Sequence, residues 1–249
     1  LVFVPPWEGA LMPADWPPLL DRLGVIYVSA GRSGNEMNTF GRRAPLALIA
    51  ARNIMARYPV DPDRTYVGGF SGGSRVAMRL AMGYPDLFRG AILNAGSDPI
   101  GENGLSLPPR DLFDRFVSTS RLVYVTGDQD MVNLDSDSAS LSTMARSCVL
   151  AVNDNISPHA EHKPMDRSAL AEALGQLDHR RPVDPARLAA CRVAQDAKIA
   201  AALDQVRAQL AAGHPDAARS ALITLDRRYG GLAAPRSVEL WRASEPVAH

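Results

Sequence analysis

Hydrophobic positions recur along the chain in two rhythms. Short, continuous apolar runs occupy residues 1–4, 25–30, 65–67, 91–95, 121–125 and 148–152. Runs of that length, apolar on both sides and bounded by Gly, Pro or polar residues, are what strands buried on two faces require. Between them the period lengthens to that of a helix. Residues 44–58 place Leu48, Ala51, Ile54, Met55 and Tyr58 on one side and stop at Pro59. Residues 74–82 do the same before Gly83-Tyr84-Pro85. Shorter helices are expected within 13–23 (Asp15 as N-cap, Pro17 in the first turn, Gly24 as stop), 110–117, 138–146 and 167–177. Strand and helix thus alternate six times through about residue 178. Parallel strands need crossover connections, so the pattern predicts an α/β fold: a doubly wound, mostly parallel sheet of about six strands, helices on both faces.

The rhythm changes after residue 184. Residues 185–210 and 216–228 are Ala-rich and helix-periodic, with Gly213-His214-Pro215 between them, and read as an antiparallel helix pair. The expected organisation is an α/β domain over 1–180 and a C-terminal helical extension over 185–249. Arg180-Arg181-Pro182-Val183-Asp184-Pro185 is the joint. The extension is expected to cover an otherwise exposed face; recruitment of a protein partner through these helices is the alternative.

The chemistry centres on Val67-Gly68-Gly69-Phe70-Ser71-Gly72-Gly73, between a strand run and a helix run. Within it Gly69-x-Ser71-x-Gly73 matches the nucleophile-elbow pattern. A strand that turns at once into a helix holds its central residue strained and exposed, and bulk two residues either side would collide. Ser71 then stands at a helix N-terminus, where free N–H groups favour developing negative charge. A nucleophilic Ser needs a base and an orienting acid, and in a doubly wound sheet these belong at the carboxyl ends of strands. The run 121–125 is followed by Thr126-Gly127-Asp128-Gln129-Asp130, and the run 148–152 by a segment holding His159 and His162. The order Ser, Asp, His is that of α/β-hydrolases. His179, His214 and His249 follow no strand and read as solvated or capping residues.

These segments carry a more specific resemblance, over about residues 1–178. Asp61-Pro62-Asp63-Arg64 before the elbow strand and Tyr84-Pro85-Asp86-Leu87-Phe88 after its helix resemble the bacterial poly(3-hydroxybutyrate) depolymerase and feruloyl esterase-like group of α/β-hydrolases. The resemblance implies a serine esterase acting through an acyl-enzyme. It assigns the acid to Asp130, with Asp128 second, where the group usually has His-Gly-x-x-Asp. It assigns the base to His162, in Glu161-His162-Lys163-Pro164, where the group has Gly-His-x-x-Pro; the missing Gly leaves His159 as the alternative. Gly72 N–H would be one oxyanion donor. The group's second donor follows a His-Gly pair after the first strand; here Pro5-Pro6-Trp7-Glu8-Gly9 stands there, so that role falls to Trp7 or Glu8. An unreplaced donor costs about 3 kcal/mol. The departure supports one other reading, a binding or scaffold protein of weak activity; acyl transfer or thioester hydrolysis by the same residues is a further one, because the choice of acceptor depends on the exclusion of water.

Composition narrows the partners. The 249 residues carry 27 basic and 27 acidic side chains, a formal net charge of zero, which gives nucleic acid and anionic membranes no electrostatic purchase. No apolar run approaches the ~20 residues of a membrane span. No cofactor or metal motif appears: no Lys-Ser/Thr follows the glycines, and the acids around Asp135 lack EF-hand spacing. An ester substrate, small or polymeric, is the expected partner, with little room for a cap between residues 95 and 121. Asn94 and the aromatics Trp7, Trp16 and Tyr27 are candidates for lining its pocket, a turn or core packing being the plainer readings. The chain opens at Leu1 in strand-type sequence, so an upstream segment is expected. Cys148 and Cys191 read equally as a disulfide or as two buried thiols; a periplasmic or secreted setting is favoured over the cytoplasm.

Overall fold

The computed structural model describes residues 1–179 and 183–245; residues 180–182 of the expected joint and His249 lie outside them. Six strands form one all-parallel sheet: β1 (Val2–Val4), β2 (Val28–Ser29), β3 (Tyr66–Phe70), β4 (Gly90–Asn94), β5 (Arg121–Gly127) and β6 (Val152–Ser157). Their order is β2-β1-β3-β4-β5-β6. Alternation within each strand sorts side chains to two cores. Phe3, Tyr66, Ile92 and Val123 meet α1 (Pro17–Leu23) and α6 (Arg167–Asp178) on one face. Val2, Val4, Val67, Leu93, Leu122 and Tyr124 meet α2 (Ala44–Arg57), α3 (Gly72–Gly83), α4 (Arg110–Thr119) and α5 (Met131–Arg146) on the other. From β1 the chain moves outward to β2; from β3 it moves the opposite way. The reversal lies between adjacent β1 and β3, and their carboxyl ends open the crevice where such sheets bind ligands.

Beyond residue 184 come α7 (Pro185–Ala211), α8 (Pro215–Tyr229), a 3₁₀ turn (Gly230–Ala233) and a short α9 (Arg236–Ala243) that the sequence pattern did not suggest. Ile199, Leu203, Val206, Leu222 and Leu225 belong to the same buried cluster as α3 and α4. A Cys148–Cys191 disulfide, the Arg110–Asp196 and Arg192–Asp114 ion pairs, and a bond from Gly231 N to Leu107 O (2.8 Å) fix these helices to the sheet domain.

Four local expectations are corrected. Of residues 25–30 only Val28–Ser29 pairs as strand, because Val25 N turns back to Leu20 O and closes the end of α1. Asp15 does not cap α1; its carboxylate accepts from Arg167 N and so caps the first turn of α6. Helix α5 begins at residue 131, not 138: its polar first turns, read as loop, aim Asn133 and Asp137 inward. The sixth strand is Val152–Ser157, not 148–152. It is a half-exposed edge strand with three consecutive polar residues, Asn153 to Asn155, while Cys148 and Val149 are buried in the turn that precedes it.

Candidate active site

Register delivers the elbow to the crevice. Val4 pairs with Gly69, so the segment after β1 runs beside the β3–α3 turn. Ser71 has φ 55° and ψ −123°, a region that L residues avoid. Its N–H is held by Asn94 O at 2.8 Å. The flanking glycines are sterically required. A Cβ on Gly69 would overlap the backbone of Gly73, one on Gly73 would overlap Val4 O, and one on Gly72 would overlap the Asn35 side chain.

Ser71 Oγ lies 3.1 Å from His162 Nε2, and His162 Nδ1 lies 2.6 Å from Asp130 Oδ2. Two groups face Nδ1, the Asp130 carboxylate at 2.6 Å and Asn133 Nδ2 at 3.1 Å. The amide nitrogen can only donate and is committed to Asp130, so the neutral ring carries its proton on Nδ1 toward the carboxylate and Nε2 is left to accept from the Ser71 hydroxyl. Asp130 is buried at the start of α5, whereas the His162 side chain is nearly half exposed. Phe70 packs its ring against the imidazole, centroids 4.8 Å apart, and Trp7 stands 6.0 Å beyond Phe70. The His162 loop is clamped just downstream: Met165 N donates to Asn94 Oδ1 and Met165 O accepts from Trp16 Nε1. Asn94 and Trp16, considered above as pocket residues, are therefore buried supports of this loop.

The alternatives stand apart from this row. Asp128 is exposed and accepts from Ala160 N, and His159 is an exposed turn residue with φ 55°. His179 caps α6 through Gly175 O, and His214 precedes α8 without a side-chain cap.

Asn133 enters the site unannounced. Its Nδ2 donates to both Asp130 oxygens at 2.9 Å, and its Oδ1 accepts from Arg75 on α3 at 3.3 Å. Arg can only donate, so Arg75 fixes which end of the amide faces the carboxylate. Burial would raise the Asp130 carboxyl, but hydrogen bonds from His162 and Asn133 outweigh it and hold the group below its ordinary range. Asn133 sits three residues after Asp130 on one helical turn, a relation readable in the sequence only once α5 is known to start at 131.

The segment after β1 is pinned. Pro6 O accepts from Asn35 N and Glu8 O from Arg32 N, while buried Arg43 donates to Pro5 O and Ser33 O. The Pro6–Trp7 peptide is trans, so its N–H points away from the bonded Pro6 O. It meets no backbone acceptor among the described residues.

No family model matches the chain. It is similar to a poly(3-hydroxybutyrate) depolymerase of Ralstonia pickettii, 27% identical over 99 residues, covering 34% of this chain and 20% of that protein. The match thus spans about a fifth of the relative's length. Among solved structures, S-formylglutathione hydrolase FrmB of Staphylococcus aureus aligns with a TM-score of 0.51 at 13% identity, over 71% of this chain and 82% of that one. A hyperthermophilic esterase of the archaeon Pyrobaculum calidifontis aligns with a TM-score of 0.50 at 18% identity, over 71% and 73%. At such identities the likeness is one of fold.

Proposed function

The chain has the α/β-hydrolase fold, and from that premise we propose that it is a serine hydrolase cleaving a carboxylic ester through Ser71, His162 and Asp130. The observation that carries the reading is the continuous Ser71–His162–Asp130 hydrogen-bonded row with its nucleophile on a strained elbow. As Ser71 Oγ attacks the carbonyl carbon, His162 Nε2 takes its proton and Asp130 steadies the resulting imidazolium. The carbonyl π pair moves to oxygen, facing the N–H of Gly72 and, in this reading, of Trp7. Collapse breaks the bond to the alcohol oxygen, which receives the proton from His162. Water then repeats the sequence on the acyl-Ser71, releasing the acid and restoring the hydroxyl. No step calls for a metal or cofactor. The Cys148–Cys191 disulfide supports an oxidising setting, periplasmic or secreted.

A fluorophosphonate probe tests the reading. Covalent mass on Ser71, absent in Ser71→Ala, together with turnover of p-nitrophenyl butyrate, is the expected result. No adduct and no turnover would leave the scaffold interpretation standing instead.

A further inference from the structure

A cleft of about 400 Å³ opens beside Gly72, between the outer side of α3 and the segment that leads into α2. Its charged lining is Arg43, Arg75, Arg79 and Asp98. Asp98 is 1% exposed and serves two guanidiniums at once: Arg75 Nε at 3.2 Å and Arg79 at 2.7 Å. Arg43 is buried and spends its Nε and one terminal nitrogen on the Ser33 and Pro5 carbonyls, which carry no charge. Glu8 interacts electrostatically with Arg43 but is not part of the wall. Asp137 acts likewise on Arg75 from outside the wall, so within the wall itself three guanidiniums meet one carboxylate. An excess cation in a low-dielectric cleft favours an anion from solution.

Position says which part of a substrate would meet that charge. The cleft is lined by Gly72, whose N–H faces the carbonyl oxygen in the reading above, and not by His162, which must reach the leaving alcohol. An acyl chain is therefore the half that enters. Arg75 and Arg79 stand one and two turns along α3 from Gly72, about 5 and 10 Å of rise. The exposed Phe40 ring supplies an apolar wall for the methylenes between.

Resting on the hydrolase reading, we propose that the substrate's acyl half carries its own carboxylate, seated against Arg75 and Arg79: a half-ester of a short dicarboxylic acid.

The test compares mono-p-nitrophenyl glutarate with p-nitrophenyl pentanoate, esters of like length and the same leaving group. At low salt the wild type should favour the glutarate in kcat/KM by about tenfold, the worth of one charge pair at a partly exposed site. Added NaCl should shrink that preference. Arg79→Gln and Arg75→Gln should each lose most of it, whereas Arg79→Lys, which keeps the charge, should retain it. Far-UV circular dichroism of each variant separates lost charge from lost fold. A butyryl ester of 4-hydroxybenzoate, with its carboxylate on the alcohol half, should gain no such advantage. No glutarate preference, or one that survives both Gln substitutions, overturns the proposal. Failure of the hydrolase reading would look different: neither ester turned over and Ser71 unlabelled. Titration calorimetry of Ser71→Ala with monomethyl glutarate judges the cleft independently. Heat that disappears on adding Arg79→Gln supports the anion site; no heat overturns it.

Discussion

Single side chains decide how firmly the Ser71–His162–Asp130 row is held. Asp130 reaches His162 through one oxygen, and without Asn133 its carboxylate could rotate about its own axis. Asn133→Ala should lower kcat for p-nitrophenyl butyrate by about tenfold to a hundredfold with little change in KM, since misaligned groups lose rate before affinity. Asp137 makes a different demand. It is 3% exposed and accepts from the Ser97 and Thr126 hydroxyls, with no cation in salt-bridge contact among the described residues. Burial pushes its carboxyl up to about 6, against which the two hydroxyls and the field of Arg75 only partly act. The folded value lies above the unfolded one, so the neutral form favours folding. That contribution is complete below the unfolded value near 3.8 and is lost as pH rises through about 6. The loss amounts to about 3 kcal/mol. Asp137→Asn removes the ionisation, so between about pH 4 and about pH 7 its Tm should fall less, or rise more, than the wild type's.

Among the secondary elements, the β3–α3 turn has the least freedom. Strand and helix approach so closely at Gly69 and Gly73 that a methyl on either meets main chain, which cannot swing aside as a side chain would. Gly69→Ala should cost about 3 kcal/mol in urea unfolding, at the upper end of ordinary single substitutions. It should also abolish labelling of Ser71 in whatever folded protein remains. Helix α5 carries Asp130 at its cap, Asn133 in its first turn and Asp137 in its second, so one element serves both the reacting row and the buried Ser97–Thr126 cluster. That double duty explains its polar sequence, and why apolar periodicity located its start seven residues late.

Across the chain as a unit, the question is how the C-terminal helices relate to the sheet domain. We regard residues 1–180 as the hydrolase unit and 185–249 as an extension that covers it. In support, α7 and α8 bury Ile199, Leu203 and Leu225 in the core shared with α3 and α4, and the Cys148–Cys191 bridge closes a separation of 43 residues. On a chain-entropy argument a loop of that length is worth about 4 kcal/mol. Cys148→Ser with Cys191→Ser should lower the urea midpoint accordingly, and added reductant should do the same to the wild type but not to the double variant. The same helices line a cavity of about 690 Å³, larger than the cleft beside Gly72 and remote from Ser71. Cavity size alone would have pointed away from Ser71, His162 and Asp130.

Much of this architecture is legible along the chain, because period two and period 3.6 report directly which residues must face an apolar interior. The parallel alternation and the helix pair beyond residue 184 follow from that local rule, while the glycines flanking Ser71 are legible as a motif with a steric reason. Strand ends narrowed the acid to Asp128 or Asp130 and the base to His159 or His162; the choice of Asp130 and His162 came from the resemblance to known esterases. The edge strand β6 escaped the periodic rule, since an edge need not be apolar on both faces. Asn133, Arg75 and the clamp of Met165 by Asn94 and Trp16 escaped it as well. Their partners lie 58, 71 and 149 residues away, and polar contacts at such separations leave no periodic trace. Whether two thiols could join, and whether Arg75 and Arg79 would share one carboxylate, depended on how helices stack across the sheet. That stacking is settled by packing of the entire core, which no window of sequence contains.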